Sequence, residues 1–340
     1  SEGKSTNGTN TAGYSVYVHG TAKINTKQKG SAIDIKGAQD VDILGAVVAG
    51  GTIGETGVTW AGDDSTVTVT AGQQLFLDTG LLASKSVTMN GGIAGEDDNE
   101  IGLLITTAGG ATAMGLSSDG SGGLIATNNA GNMQMMGTLV SGGKLNQEFD
   151  EDGNLISQTV DWSDNYGEIK INSEGQAFIG GNTTNKQGEA IETGGYLFAN
   201  NRIEINGGNH SSGTGAYVQA ASELVTNAAN GAIEINAAQD ADIQGLLAPG
   251  GEVTTVRDSK GSYMGRIVRD FGGESTIKIT AEHQIRIGQT LRAGKQIDLI
   301  GGIDPQEEGV KDSGKGMVLY GSTQISTWSE NSLINLNAHG

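Results

Sequence analysis

AIDIKGAQDVDILGAVVAGG, Ala32 to Gly51, returns as AIEINAAQDADIQGLLAPGG, Ala232 to Gly251, at a constant offset of 200. Self-similarity of this kind means that one supersecondary plan is used more than once, which constrains the fold before any local reading. Working outward, STVTVTAGQQLFL from Ser65 matches STIKITAEHQIRI from Ser275 at offset 210, and IKINSEGQAFIGG from Ile169 matches IKITAEHQIRIGQ from Ile277 at offset 108. GMVLYGSTQISTWSENSLINLNA from Gly316 restarts, at offset 101, the pattern that opens at Gly215. The chain reads as one continuous array: unit one over 1–101, unit two over 102–214, unit three over 215–315 and the start of unit four over 316–340. Unit starts at Ser15, Gly102, Gly215 and Gly316 give spacings of 87, 113 and 101, and the differences belong in loops.

Inside a unit, apolar residues come in pairs two apart: Ile33/Ile35, Val41/Ile43, Val67/Val69, Leu75/Leu77, Val87/Met89. That spacing puts both side chains on one face of a strand and turns Asp34, Asp42, Thr68, Phe76 and Thr88 the other way. AYVQAASELVTNAANG from Ala216 has a helical look. Its copies YVHGTAKINTKQKG and VLYGSTQISTWSEN carry glycine and β-branched residues at matching positions, so the helix reading fails.

Short strands joined by Gly/Asn/Ala-rich turns, with few hairpin signals and no crossover helices, fit a parallel β-helix in which each coil of three strands stacks on the last. At roughly 4.8 Å per coil the expectation is on the order of 15 coils, about five per unit, in a rod of roughly 70 Å. Asn90, Asn172, Asn206, Asn236 and Asn337 recur after strands and fit amide ladders between coils. Gly143 to Glu168 and Gly251 to Glu274 each hold two alternating runs around a turn, which predicts β-hairpins. Unit one keeps a stub about ten residues shorter, with Trp60 aligned to Trp162. The fold class is therefore all-β, a parallel β-helix (solenoid) with projecting β-hairpins.

Composition narrows the function. Glycine is 57 of 340 residues, but with 2 prolines and no Gly-X-Y period the chain is not collagen-like. A net charge of -19 repels phosphate backbones and anionic lipids, which argues against nucleic acid and membrane partners. No apolar run reaches the length of a membrane span, and Ser1 to Asn10 lacks the pattern of a signal peptide. The absence of cysteine excludes disulfides and thiolate metal sites and suits an exported bacterial protein.

AIEINAAQDADIQGLLAPGGE followed by a hairpin and IRIGQTLRAGKQIDLIGG resembles the stacked repeats of filamentous-haemagglutinin-like bacterial exoproteins, across nearly the whole chain. The resemblance implies a right-handed β-helical shaft, extracellular or on the bacterial cell surface. It implies a non-enzymatic fragment of a giant adhesin that meets a glycan or protein on a partner cell and is flanked by further repeats of the same parent chain. The family's amino-terminal secretion domain, with its Asn-Pro-Asn motif, has no counterpart here. The competing class is a β-helical polysaccharide-binding or polysaccharide-degrading protein.

Candidate chemistry is sparse. Trp60, Trp162, Tyr263 and Phe271 sit on or near the hairpins, where aromatic rings either stack on a partner or pack the hairpin onto the shaft. Asp150 and Asp152, in Asp150-x-Asp152-Gly153-Asn154, form an incomplete calcium loop without the terminal bidentate Glu, and a plain turn fits better. Asp40/Asp42 and Asp240/Asp242 could be paired carboxylates for polysaccharide cleavage. The pair occurs in two units and becomes Asn132 and Gln134 in the third, which reads instead as a solvated acidic face. GVKDSGKG, Gly309 to Gly316, meets a phosphate-loop pattern only through Lys315. His19, His210, His283 and His339 have no metal-ligand spacing. No catalytic residue and no cofactor is assigned.

Overall fold

The apolar pairs spaced by two become strands that pair between coils, each with the equivalent strand one turn later in the chain. In the computed structural model, which describes residues 14–54, 57–93, 100–149, 155–184, 190–257, 263–270, 273–302, 314–321 and 323–339, three parallel sheets of ten strands each run the length of the stack. The first coil contributes Tyr14–Val18 to the first sheet, Lys23–Asn25 to the second and Ala32–Gly37 to the third. The second coil lays Asp40–Ile43, Ala46–Ala49 and Thr66–Ala71 on them, and the order repeats to Met317–Leu319, Ile325–Thr327 and Leu333–Ala338. The chain is thus all-β and a parallel β-helix in its sheet order.

Register turns each strand position into a column. In the third sheet Ile33 lies over Val67, Val87, Ile125 and Ile169, and the column continues through Ile203, Ile233, Ile277 and Ile297, all between 0% and 8% exposed. Three residues further along each strand, on the opposite face, Asn90, Asn128, Asn172, Asn206 and Asn236 form the outward amide ladder. Each Nδ2 donates to the Oδ1 of the preceding coil, at 3.0, 3.0, 2.8 and 2.9 Å, and Asn90 donates to Thr70 Oγ1 at 3.0 Å. Asn128 belongs to the ladder although its position was not expected there. Asn337 lies in the same column opposite Ile300, apart from those five.

The stack is shorter than expected, at ten coils instead of about fifteen, or about 45 Å at the usual strand spacing. Three strands need three multi-residue corners, so even coils without a hairpin advance 26 positions, as from Tyr14 to Asp40, Leu75 to Ile101 and Thr214 to Asp240. The segment from Tyr14 to Gly91 holds three coils, as do Ile101 to Gly207 and Thr214 to Gly301.

The middle coil of each such segment carries an antiparallel pair between its second-sheet and third-sheet strands. Gly143–Phe149 pairs with Leu155–Trp162, Gly251–Arg257 pairs with Tyr263–Asp270, and the stub is Gly51–Ile53 with Val58–Trp60. Each exit is a Gly-Gly step. Gly50, Gly142 and Gly250 have φ of +76°, +79° and +68°, and a Cβ there would meet Ser65, Asn200 or Ser275 within 3 Å. A further hairpin, Gly181–Thr184 with Ala190–Thr193, leaves between the first and second sheets in unit two. It accounts for part of that unit's extra length, which was its one signal in the sequence.

Asn172 exchanges ladder bonds with both neighbouring coils, whereas Asn236 donates one. Asn172→Ala is expected to destabilise the shaft by about 1–2 kcal/mol and Asn236→Ala by about half as much. Denaturant titration followed by circular dichroism measures the difference.

Candidate functional site

The hairpin of Gly143–Phe149 and Leu155–Trp162 lies back over the shaft. Several strands of the second sheet are apolar on both faces. Their inward residues Val47, Leu81, Leu139, Leu197, Leu224 and Leu247 join the main core. Their outward residues Val140, Phe198, Val225 and Ala248, with Leu246, form a second buried cluster. Leu145, Val160, Trp162 and Tyr196 pack against it, and Thr138 Oγ1 donates to Gln158 Oε1 at 3.2 Å, so the hairpin over 143–162 roofs this face. Trp162 sits opposite Gly143 at the foot of its hairpin, and Trp60 sits opposite Gly51 at the foot of the stub. Both indoles are half-buried, so each keeps an edge toward solvent while Trp162 also anchors its hairpin. Tyr263 starts the returning strand of the third hairpin, opposite Arg257. Phe271, Asp150 and Asp152 lie outside the described residues.

The aspartate pairs are not a solvated face. Asp40 is 0% exposed and Asp240 4% exposed, because each sits at a corner where its side chain caps the next coil. Asp40 Oδ1 accepts the backbone N–H of Gln74 at 3.0 Å, and the Gln74 Nε2 donates to the carbonyl of Ile101, one coil further, at 2.9 Å. Asn132 with Gln176 and Thr214 repeats the clamp at 2.7 and 3.0 Å, and Asp240 with Gln284 and Lys315 repeats it at 3.0 and 2.7 Å. Three consecutive coils are tied together by one side chain and one glutamine in every unit. The work asks for an acceptor oxygen, which is why asparagine replaces aspartate in unit two.

The charge around the clamp differs between units. In unit three Arg286 donates from Nη2 to Asp240 Oδ2 at 2.7 Å and from Nε to Gln284 Oε1 at 2.6 Å. Gln244 Nε2 donates to Asp242 Oδ1 at 2.6 Å; burial raises the Asp242 carboxyl above its ordinary range, while Gln244 and Arg286 hold it down. In unit one burial and the neighbouring Asp40 charge push Asp42 up to about 7, against a lowering hydrogen bond from Tyr14.

A second charged group, on the outer face of the third sheet, was not singled out in the sequence. Arg202 reaches Glu168 at 3.3 Å, Glu204 at 3.0 Å and Glu234 at 2.7 Å, spanning three coils, and Lys170 meets Glu204 at 3.3 Å. Such partly exposed pairs fix side chains more than they stabilise. On the first sheet Phe178 and Tyr217 stack on each other at 4.9 Å, which commits one face of each ring to its neighbour. His19 and His210 contact Thr21 and Ser212 two residues on, at 3.0 and 2.6 Å. Among the described residues no three His, Cys, Asp or Glu side chains gather as a metal cluster. Lys315, from the glycine-rich segment, supplies a carbonyl to the corner clamp.

The chain matches no family model, no curated protein and no solved structure at a significant level.

Asp240→Asn, which copies unit two, is expected to keep the clamp. Asp240→Ala leaves the Gln284 N–H and the Arg286 guanidinium without their acceptor and is expected to destabilise by about 2 kcal/mol or more. Thermal and urea unfolding of the two variants side by side checks this.

Proposed function

We propose that this chain is a non-enzymatic structural and adhesive shaft, part of a large extracellular bacterial protein of the filamentous-haemagglutinin-like kind, serving surface attachment or contact between cells. The observation that carries this reading is the division of labour between stack and hairpins. Three sheets run through all ten coils, with register shifts at the starts of three first-sheet strands, while the antiparallel additions, and most of the candidate contact aromatics with them, are confined to the corners. A column architecture of this type adds length in whole coils, each held by its neighbours. One member of each acidic pair that could suggest carbohydrate cleavage, Asp40 or Asp240, binds a backbone amide, and Asp240 also binds Arg286, which are structural duties. Recognition belongs to the exposed edges of the hairpin roof, with Trp162 and Trp60 the leading contacts for a glycan or protein on a partner cell.

The test is to screen the purified chain on a glycan array and on candidate partner cells, with polysaccharide turnover measured in parallel. Binding that falls at least tenfold in Trp162→Ala, with the circular dichroism of the shaft unchanged, is the expected result. The main core supports that control, because Trp162 packs on the second cluster outside it. Robust turnover lost on changing Asp40, Asp42, Asp240 or Asp242 would replace the shaft by an enzyme.

A further inference from the structure

The same corner is built three times, with a different set of charges in each. In unit three the acidic pair Asp240 and Asp242 faces Arg286, which stands opposite Asp242 in the register. Unit two has the neutral pair Asn132 and Gln134, and Phe178 stands opposite Gln134. Unit one combines the acidic pair Asp40 and Asp42 with Phe76, the residue matched to Arg286 at offset 210. It has the carboxylates of unit three and the uncharged neighbour of unit two.

The atoms left over are those that unit three satisfies. Asp42 Oδ1 and Gln74 Oε1 are buried with no hydrogen-bond partner among the described residues, in side chains that are 4% and 7% exposed. Their counterparts are Asp242 Oδ1, held by Gln244, and Gln284 Oε1, held by the Arg286 Nε. Leu44 replaces Gln244 at offset 200, so both donors are missing together. The unit-three guanidinium bonds Asp240 Oδ2 and Gln284 Oε1 at once and stands opposite Asp242 in the register, so one cationic position serves the clamp and neighbours the second carboxylate. The clamp hydrogen bonds are the same in unit one, which sets Asp40 and Gln74 in the same relation there, and Asp42 holds the register place of Asp242. Two carboxylates and a carboxamide oxygen form the donor set of a hard cation, which takes oxygen ligands and completes its shell with water.

We propose that Asp40, Asp42 and Gln74 form a cation site of the calcium type, in which a bound ion takes the place of the Arg286 guanidinium. The site is separate from the incomplete loop at Asp150 and Asp152. The raised Asp42 carboxyl agrees with a missing counter-charge.

Two variants taken from the chain's own copies test it without discarding the corner. Asp40→Asn with Asp42→Gln reproduces unit two, and Phe76→Arg reproduces the guanidinium of unit three. Wild-type protein stripped with chelator and titrated with calcium at pH 8 in a calorimeter is expected to bind one ion per chain and to melt higher with it. Both variants are expected to bind at least tenfold more weakly while keeping the wild-type circular dichroism, and Phe76→Arg should melt above the metal-free wild type. Absence of calcium binding by the wild type overturns the proposal and leaves a proton on Asp42 as the neutralising species. Binding that survives in both variants, or is lost instead in Asp150→Asn with Asp152→Asn, also overturns it.

Discussion

Each strand of the three parallel sheets can satisfy its backbone only through the coil before it and the coil after it, about 4.8 Å away. That spacing fixes the chemistry of every side-chain position, because a residue is held against its equivalents in the neighbouring coils. Isoleucine over isoleucine gives the third-sheet column from Ile169 to Ile277, and amide over amide gives the ladder from Asn90 to Asn236. Like charges in one column need a counter-ion: Glu204 lies over Glu234, and Arg202 in the neighbouring column reaches both as well as Glu168.

The corners extend the same rule to groups that lie between sheets. A coil that turns three times presents backbone N–H and carbonyl groups at each bend, and a buried bend must pair them. The Asp/Asn-to-Gln clamp pairs a donor in one coil and an acceptor in the next with two side chains. Because that task needs an oxygen and no charge, the charge of the aspartate is an extra that the surroundings have to answer. The Gly-Gly exits serve the neighbouring corner, where the chain must turn outward beside a packed serine or asparagine.

Much of the architecture was legible in the chain itself. Offsets of 200, 210, 108 and 101 locate equivalent strands, and residues two apart such as Ile33/Ile35 and Val67/Val69 mark the inward face. The coil count was misjudged because corner length leaves no hydrophobic trace. The folding-back of the hairpin that ends at Trp162 did have a signal: TLVS at Thr138, YLFA at Tyr196 and LLAP at Leu246 are strands buried on both faces, and their sequences are largely continuous apolar runs. The aspartate corners were misread as solvated because Asp40 meets Gln74 only through register, 34 positions away in the chain.

The coil has a mechanical meaning. Strands run across the axis and their hydrogen bonds run along it, so a load applied at the two ends of the stack falls on one ladder at a time. Each coil that peels away frees 20 residues or more, since Thr66 and Ser86 are among the nearest equivalents in the chain, or at least about 65 Å of extended chain, in place of the 4.8 Å it occupied. Corner clamps that span three coils couple release within each clamped set, from Asp40 to Ile101, from Asn132 to Thr214 and from Asp240 to Lys315. Under tension the stack behaves as a stepwise extensible tether, and a hairpin on a middle coil lengthens its step.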